Sequence, residues 1–164
     1  MEDSRAENAH KRERMFEIRK RIWSAYPTAT HAGVFLVRGK TGQRRVLLNE
    51  SELISSLSAR GILVVQVEAA SAEQIMRQCS NARVVIGVEG SQLNHGLISI
   101  ADQGSMLVIQ PPRRFNCHHK ELCDILGVRY GFVVGESVDK SADFSVDTDR
   151  VHRLLDRLMS LPTA

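Results

Sequence analysis

Apolar positions recur along this chain with two different spacings, and the change between them divides it. Over residues 5–26, Met15, Ile18, Ile22 and Tyr26 fall on one side of a helix, and Pro27 ends the run. From Ala32 onward, short continuous apolar runs alternate with stretches of helical spacing. That alternation is the pattern of βαβ units whose strands are buried on both faces. Residues 34–37, 62–67, 84–87, 106–109 and 128–134 are the predicted strands. A helix is predicted from Asn49, with Glu52 as its capping partner, through Leu53, Ile54 and Leu57 to Gly61; a second starts at Ser71, with Gln74 completing a capping box, and carries Ile75 and Met76 inward to Cys79. A third follows the turn after Gly87 and presents Leu93, Leu97, Ile98 and Ile100 until Gly104. A fourth carries Leu122, Ile125 and Leu126 to Gly127, and Val151, Leu154, Leu155, Leu158 and Leu161 form the last. Arg45 to Leu48 reads as a short extension or edge strand, and 136–145 as a polar loop.

Strands alternating with helices predict an α/β fold: a doubly wound, mostly parallel five-stranded sheet in a three-layer, Rossmann-like sandwich. The expected organisation is an amphipathic helix over residues 1–30 and a Rossmann-like domain over 31–164. A strand order of 2-1-3-4-5 reverses the winding between the first and third strands, and ligands bind at such a switch point. The loops that would meet there are Arg38 to Arg45 and Gly87 to Gln92.

Composition narrows the function classes. At 164 residues, 43% hydrophobic and 25% charged, the chain has ordinary globular make-up. No apolar run approaches the roughly 20 residues of a membrane span, and the charged first residues do not resemble a secretory signal, so a cytoplasmic protein is expected. Cys79, Cys117 and Cys123 lack a disulfide-like spacing and read as reduced thiols. The net charge of +3 is dispersed and aromatics are 5%, so neither a basic stripe nor a stacking platform for a nucleic-acid polymer is visible. A small phosphorylated ligand needs only a few well-placed cations.

The segment Gly87-Val88-Glu89-Gly90-Ser91-Gln92-Leu93-Asn94-His95 is the strongest candidate for such a site. Gly87 and Gly90 permit a sharp turn or a close backbone approach, while Ser91 and Gln92 offer N–H groups where a helix begins. The plain alternative is a strand-to-helix turn with Ser91 as N-cap. Glu89 could accept hydrogen bonds from sugar hydroxyls or act as a base, and His95, one turn into the helix, could face the same crevice. Arg38 and the Arg44-Arg45 pair could clamp a diphosphate, or form a solvated basic turn. Gln110-Pro111-Pro112-Arg113-Arg114 would give a rigid rim. Of Cys117, His118, His119 and Cys123, only His119 and Cys123 share a helix face, so no metal or other cofactor is expected.

Taken together, Arg38, Arg45-Val46-Leu47-Leu48-Asn49-Glu50, Glu73-Gln74, Ile86-Gly87-Val88-Glu89-Gly90-Ser91 and Ile109-Gln110-Pro111 resemble in order and spacing the carboxyl-terminal half of the family 61 glycosyltransferases, including bacterial capsular-polysaccharide members. The resemblance spans about residues 33–135. Many members have His-Gly-Ala-Gly where this chain has Glu89-Gly90-Ser91-Gln92, and the His-Asn of bacterial relatives is reversed here as Asn94-His95. The resemblance implies one half of a GT-B arrangement and an inverting, metal-independent transfer from a nucleotide-sugar to a glycan or protein acceptor. It further implies that the Gly87 to Gln92 loop, with Gly87, Gly90, Ser91 and Gln92, cradles the donor diphosphate, that Arg38 and Arg45 neutralise it, and that the base is Glu89, His95 or a residue of a separate acceptor domain. Asn94, Gln110 and Arg113 are further substrate-binding candidates, the last two on a rim that either contacts ligand or is plain surface. A second domain or a homo-oligomer is the expected partner. The readings of another class are a non-catalytic nucleotide-sugar-binding module and a scaffold domain.

Overall fold

The computed structural model describes residues 2–26, 31–39, 44–138 and 142–161. Strands β1 (Gly33–Val37), β2 (Ile62–Gln66), β3 (Val84–Val88), β4 (Ser105–Gln110) and β5 (Arg129–Val134) form one sheet in the order β2-β1-β3-β4-β5, with every pairing parallel. This is the expected α/β architecture and strand order. The helices are α1 (Glu2–Ala25), α2 (Glu50–Ser58), α3 (Ala72–Cys79), α4 (Leu93–Ser99), α5 (His118–Leu126) and α6 (Thr148–Ser160). Among the described residues, no helix is long and apolar enough to cross a membrane.

Side chains alternate along a strand, so β1 sends Phe35 and Val37 to one face of the sheet and Val34 and Leu36 to the other, all of them buried. The first face, with Ile86, Leu107 and Ile109, packs on Leu53 and Leu57 of α2 and on Val151, Leu155 and Leu158 of α6. The second, with Val85, Met106 and Val108, packs on Ile75 of α3, Leu93 and Leu97 of α4, and Leu122 and Leu126 of α5. Each such side chain removed from water contributes roughly 1.5–3 kcal/mol. Coverage of both faces is why these strands read as unbroken apolar runs.

Local signals set several helix ends. Ser71 Oγ accepts from Gln74 N at 3.2 Å while Gln74 Oε1 accepts from Ser71 N at 2.7 Å, the capping box expected for α3. Gly127 ends α5 in the left-handed region at φ +67°, which only glycine adopts without steric cost.

Three expectations fail, each through a distant partner. Asn49 makes no side-chain cap on α2; its amide donates to Val146 O at 2.8 Å and accepts from Val146 N at 3.1 Å, acting as a surrogate strand. The 136–145 segment is partly a hairpin, in which β6 (Glu136–Ser137) pairs antiparallel with β7 (Phe144–Ser145), and Phe144 is fully buried. Residues 45–48 do not extend the main sheet but join this segment, with Phe144 N donating to Val46 O at 3.0 Å and Leu48 N to Phe144 O at 2.8 Å. A single phenylalanine among polar neighbours has no periodicity to betray it.

Helix α1 turns an unexpected face inward. Ile18 is exposed, whereas Arg19 is fully buried beside Ile22, and Met15 and Phe16 pack on the core beneath. The Arg19 guanidinium donates to Ile100 O and Ala101 O at 3.1 Å each and to Leu126 O at 3.5 Å, and Trp23 Nε1 donates to Ser99 O and Ile100 O at 3.1 Å. These carbonyls close the C-terminal ends of α4 and α5, where acceptors lack partners and the helix dipole is negative. Arg19→Ala is therefore expected to lower the free energy of urea unfolding by about 3 kcal/mol, because several buried acceptors lose a charged donor together. Arg19→Lys should recover only part of that loss, since an ammonium cannot span the same carbonyls.

Candidate functional site

Strands β1 and β3 lie side by side, yet the sheet continues from β1 to β2 and from β3 to β4 in opposite directions. Their carboxyl ends flank the switch-point crevice. Leu36 is in register with Gly87, which brings Arg38, just past β1, level with Glu89, just past β3.

Gly87 lies below the crevice. A Cβ there would stand 2.8 Å from Leu93 Cδ2 and 3.0 Å from Leu36 O, so its role is to let α4 close onto the sheet. Gly90 is at the crevice itself, where a Cβ would stand 2.4 Å from Gln92 Oε1 and 2.9 Å from Arg38 Nε. Arg38 thus lies directly against the Gly90 backbone. Gln92 is buried and donates through Nε2 to Val88 O at 2.6 Å, which ties the turn to the end of β3. The N-cap of α4 is Gln92, not Ser91, and its first turn closes through Leu93 N to Gly90 O, Asn94 N to Ser91 O and His95 N to Gln92 O at 3.0–3.3 Å. Arg38, Glu68, Ser91, Gln92, Asn94 and His95 wall one cavity of about 340 Å³.

Next to it stands a buried ion pair. Arg45 Nη1 bonds Glu89 Oε2, with side chains 8% and 5% exposed, and Asn116 Nδ2 donates to Glu89 Oε1 at 3.3 Å. Both oxygens of the candidate base Glu89 are therefore engaged. Burial, and then the charges of Arg38 and Arg114, lower the Arg45 pKa to about 10, which leaves it charged at neutral pH. Burial and Arg114 likewise lower Arg38. Arg45 Nε is buried without a partner. Arg44 lies nearby but is engaged in a two-point pair with Asp143 at 2.6 and 3.2 Å. A second cavity of about 520 Å³ is walled by Arg38, Arg45, Glu50, Gln66 and Glu68, so Arg38 and Glu68 line both cavities. Burial raises the carboxyl pKa of Glu50.

Gln110 is fully buried and turned away from the crevice. Its Nε2 donates to Asn116 O at 2.8 Å and to Tyr130 Oη at 3.1 Å, and its Oε1 accepts from Asn116 N at 3.3 Å. It folds the 111–116 loop back over the strand ends, with Arg113 and Arg114 exposed upon it. Sequence reasoning weighted Arg113, whereas Arg114 is the arginine whose charge reaches Arg38 and Arg45. Asn116 was not singled out at all, because it belongs to no motif and meets Glu89 only through the fold.

The Cys117–Cys123 stretch follows directly on Asn116, and His118 N donates to Asn116 Oδ1 at 2.9 Å. His119 is 2% exposed with both ring nitrogens unpartnered, and Cys123 Sγ contacts Met106 Sδ at 3.9 Å within the core. Cys117 is exposed. Among the described residues there is no group of three or more His, Cys, Asp or Glu side chains arranged to hold a metal.

Fold and site together define an α/β protein with arginines and a glycine-bearing turn converging at the switch point of a parallel sheet. Residues 1–108 match the family model Glycosyltransferase 61, and the chain belongs to glycosyltransferase family 61. No curated protein matches the chain. The matched residues run from α1 into β4 and include Arg38, Arg45 and Glu89 to His95, while Gln110, Arg113, Arg114 and Asn116 follow them. Membership indicates an enzyme that transfers a glycosyl group from a donor to an acceptor.

Two measurements probe these buried groups. Glu89→Ala leaves the Arg45 charge buried and unpaired and is expected to cost about 3–5 kcal/mol in urea unfolding, whereas the double substitution Arg45→Met with Glu89→Met should cost far less because it removes both charges. Burial, with His118 nearby, pushes the His119 pKa from 6.5 down to about 4. The unfolded chain takes up a proton that the folded chain refuses, so the contribution of neutral His119 is complete above pH 6.5 and is lost as the pH falls toward about 4. His119→Leu should flatten the stability profile across that window, measured by urea melts at stepped pH.

Proposed function

We propose that this chain is the donor-binding half of an inverting glycosyltransferase of the bacterial polysaccharide type, which holds a nucleotide-sugar by its diphosphate at the switch-point crevice. The observation that carries this reading is that Arg38, which lies against Gly90, also walls a cavity with Ser91, Gln92, Asn94 and His95. Guanidinium groups match phosphate oxygens in number and geometry, and the missing Cβ of Gly90 lets the Arg38 guanidinium and the Gln92 amide close onto the turn. Arg45 and Arg114 add positive charge from two further loops.

In an inverting transfer, the acceptor hydroxyl attacks the anomeric carbon while the bond to the diphosphate oxygen breaks. The electron pair leaves with the diphosphate, and a base takes the hydroxyl proton. Charge on the departing diphosphate is then met by Arg38, Arg45 and the N–H groups of the Gly90 to Gln92 turn. Of the two candidate bases on this chain, His95 is the better suited, because it lines the open cavity while both oxygens of Glu89 are occupied. The acceptor, a glycan or a protein, is brought by a second domain or subunit.

Calorimetry with nucleoside diphosphates and a donor-turnover assay test the reading. Arg38→Ala is expected to weaken nucleoside diphosphate binding by about 10- to 100-fold, the worth of a charge-assisted hydrogen bond. Gly90→Val should abolish binding through the clash of its side chain with Arg38 and Gln92, with an unchanged circular dichroism spectrum. His95→Ala should retain binding while turnover falls by about 10²- to 10⁴-fold. Binding without turnover in the wild-type chain, even with acceptor and partner domain supplied, would instead identify a non-catalytic nucleotide-sugar-binding module.

A further inference from the structure

Asn116 occupies an unusually determined position. The side chain of Gln110 holds both its main-chain groups, accepting from its N at 3.3 Å and donating to its O at 2.8 Å, and is itself steadied by Tyr130 Oη at 3.1 Å. Asn116 Oδ1 accepts from His118 N at 2.9 Å. With that oxygen anchored, the Nδ2 group is directed to Glu89 Oε1 at 3.3 Å.

The consequence falls on Arg45. An arginine facing a free carboxylate ordinarily takes both oxygens with two N–H groups, as Arg44 does with Asp143. Arg45 reaches Glu89 through Nη1 and Oε2 alone, and its Nε is left buried and unpartnered. The second oxygen is the one Asn116 occupies. A single-point pair through Nη1 neutralises the carboxylate without engaging Nη2, and Arg45 lines the cavity shared with Arg38, whereas its buried Nε is out of a ligand's reach.

We infer that Asn116 is a positioning residue of the anion site: by occupying one oxygen of Glu89 it holds Arg45 to a one-point ion pair and preserves donors of that guanidinium for an incoming diphosphate. The inference rests on the donor-site reading above and deepens it. It assigns Glu89 to the orientation of a cation and Gln110 to the support of Asn116. Without the asparagine amide, Arg45 rotates onto both carboxylate oxygens and is withdrawn from the ligand.

Inorganic pyrophosphate, titrated calorimetrically into the intact chain, is the probe. Asn116→Ser keeps an oxygen for His118 N–H but is too short for Glu89, and should weaken pyrophosphate binding by about 5- to 10-fold. Arg45→Lys keeps the buried charge paired, yet one ammonium cannot serve Glu89 and a ligand together, so it should weaken binding by about 10-fold. If Asn116 acts through Arg45, the double variant binds no more than about twofold more weakly than Arg45→Lys alone, because contacting residues in one network are non-additive. A purely structural asparagine instead gives effects that multiply, and that result overturns the inference, as does unchanged affinity in Asn116→Ser. If Arg38→Ala weakens pyrophosphate binding while the two substitutions act independently, the donor-site reading stands and only this inference falls. Absence of pyrophosphate binding in the wild-type chain removes both.

Discussion

A charge buried at the end of a strand must be matched within a few ångströms, and the Arg45–Glu89 pair is where that requirement draws this molecule together. Glu89 follows β3, Arg45 belongs to the segment that returns after β1, and Asn116 belongs to the loop beyond β4. Neither charge is tolerable there alone, since desolvation of an unpaired ion outweighs most packing gains. The pair therefore couples three connections that the sheet leaves separate. Arg38 and the Gly90 turn meet beside it, so the same constraint that stabilises the carboxyl edge assembles the crevice.

The rest of the chain repeats one device, a polar side chain taking a place that backbone would otherwise fill. Arg19 satisfies the terminal carbonyls of α4 and α5 and seats α1 on them. Asn49 pairs with both main-chain groups of Val146 and stitches the C-terminal segment beside α2. Gln110 does the same for Asn116. In each case a polar group is satisfied by main chain outside its own element, across a long sequence separation for Arg19 and Asn49 and across a single loop for Gln110, and the satisfaction fixes where an irregular segment lies.

Under the donor-site proposal, this arrangement separates the work of the crevice. Arg38 and the glycine-bearing turn form a cradle open to solvent, and the Arg45–Glu89–Asn116 cluster behind it sets a cation in place without leaving bare charge in the interior. Glu89 was an equal candidate for the base when only its position after a buried strand was known. The hydrogen bonds to both its oxygens favour an orienting role, and they move the acid–base question to His95, which faces the cavity. Arg38 and Glu68, common to the two cavities, join the one walled by Ser91, Asn94 and His95 to the one walled by Arg45, Glu50 and Gln66.

What the sequence determined by itself follows from local physics. Unbroken apolar runs had to be strands covered on both faces; Ser71 with Gln74 and Gly127 had to bound helices. The resulting alternation led to the parallel sheet, and the 2-1-3-4-5 order that goes with a doubly wound fold placed Arg38 near the Gly90 turn. What only the tertiary structure decided concerns residues whose partners lie far away in the chain. The burial of Arg19 in place of Ile18, the diversion of Asn49 from its helix to Val146, the burial of Phe144, and the meeting of Asn116 with Glu89 have no periodic signature. Periodicity reports which face of an element is dry, but it cannot report which distant donor will meet a given acceptor, because that depends on how the elements are set against one another.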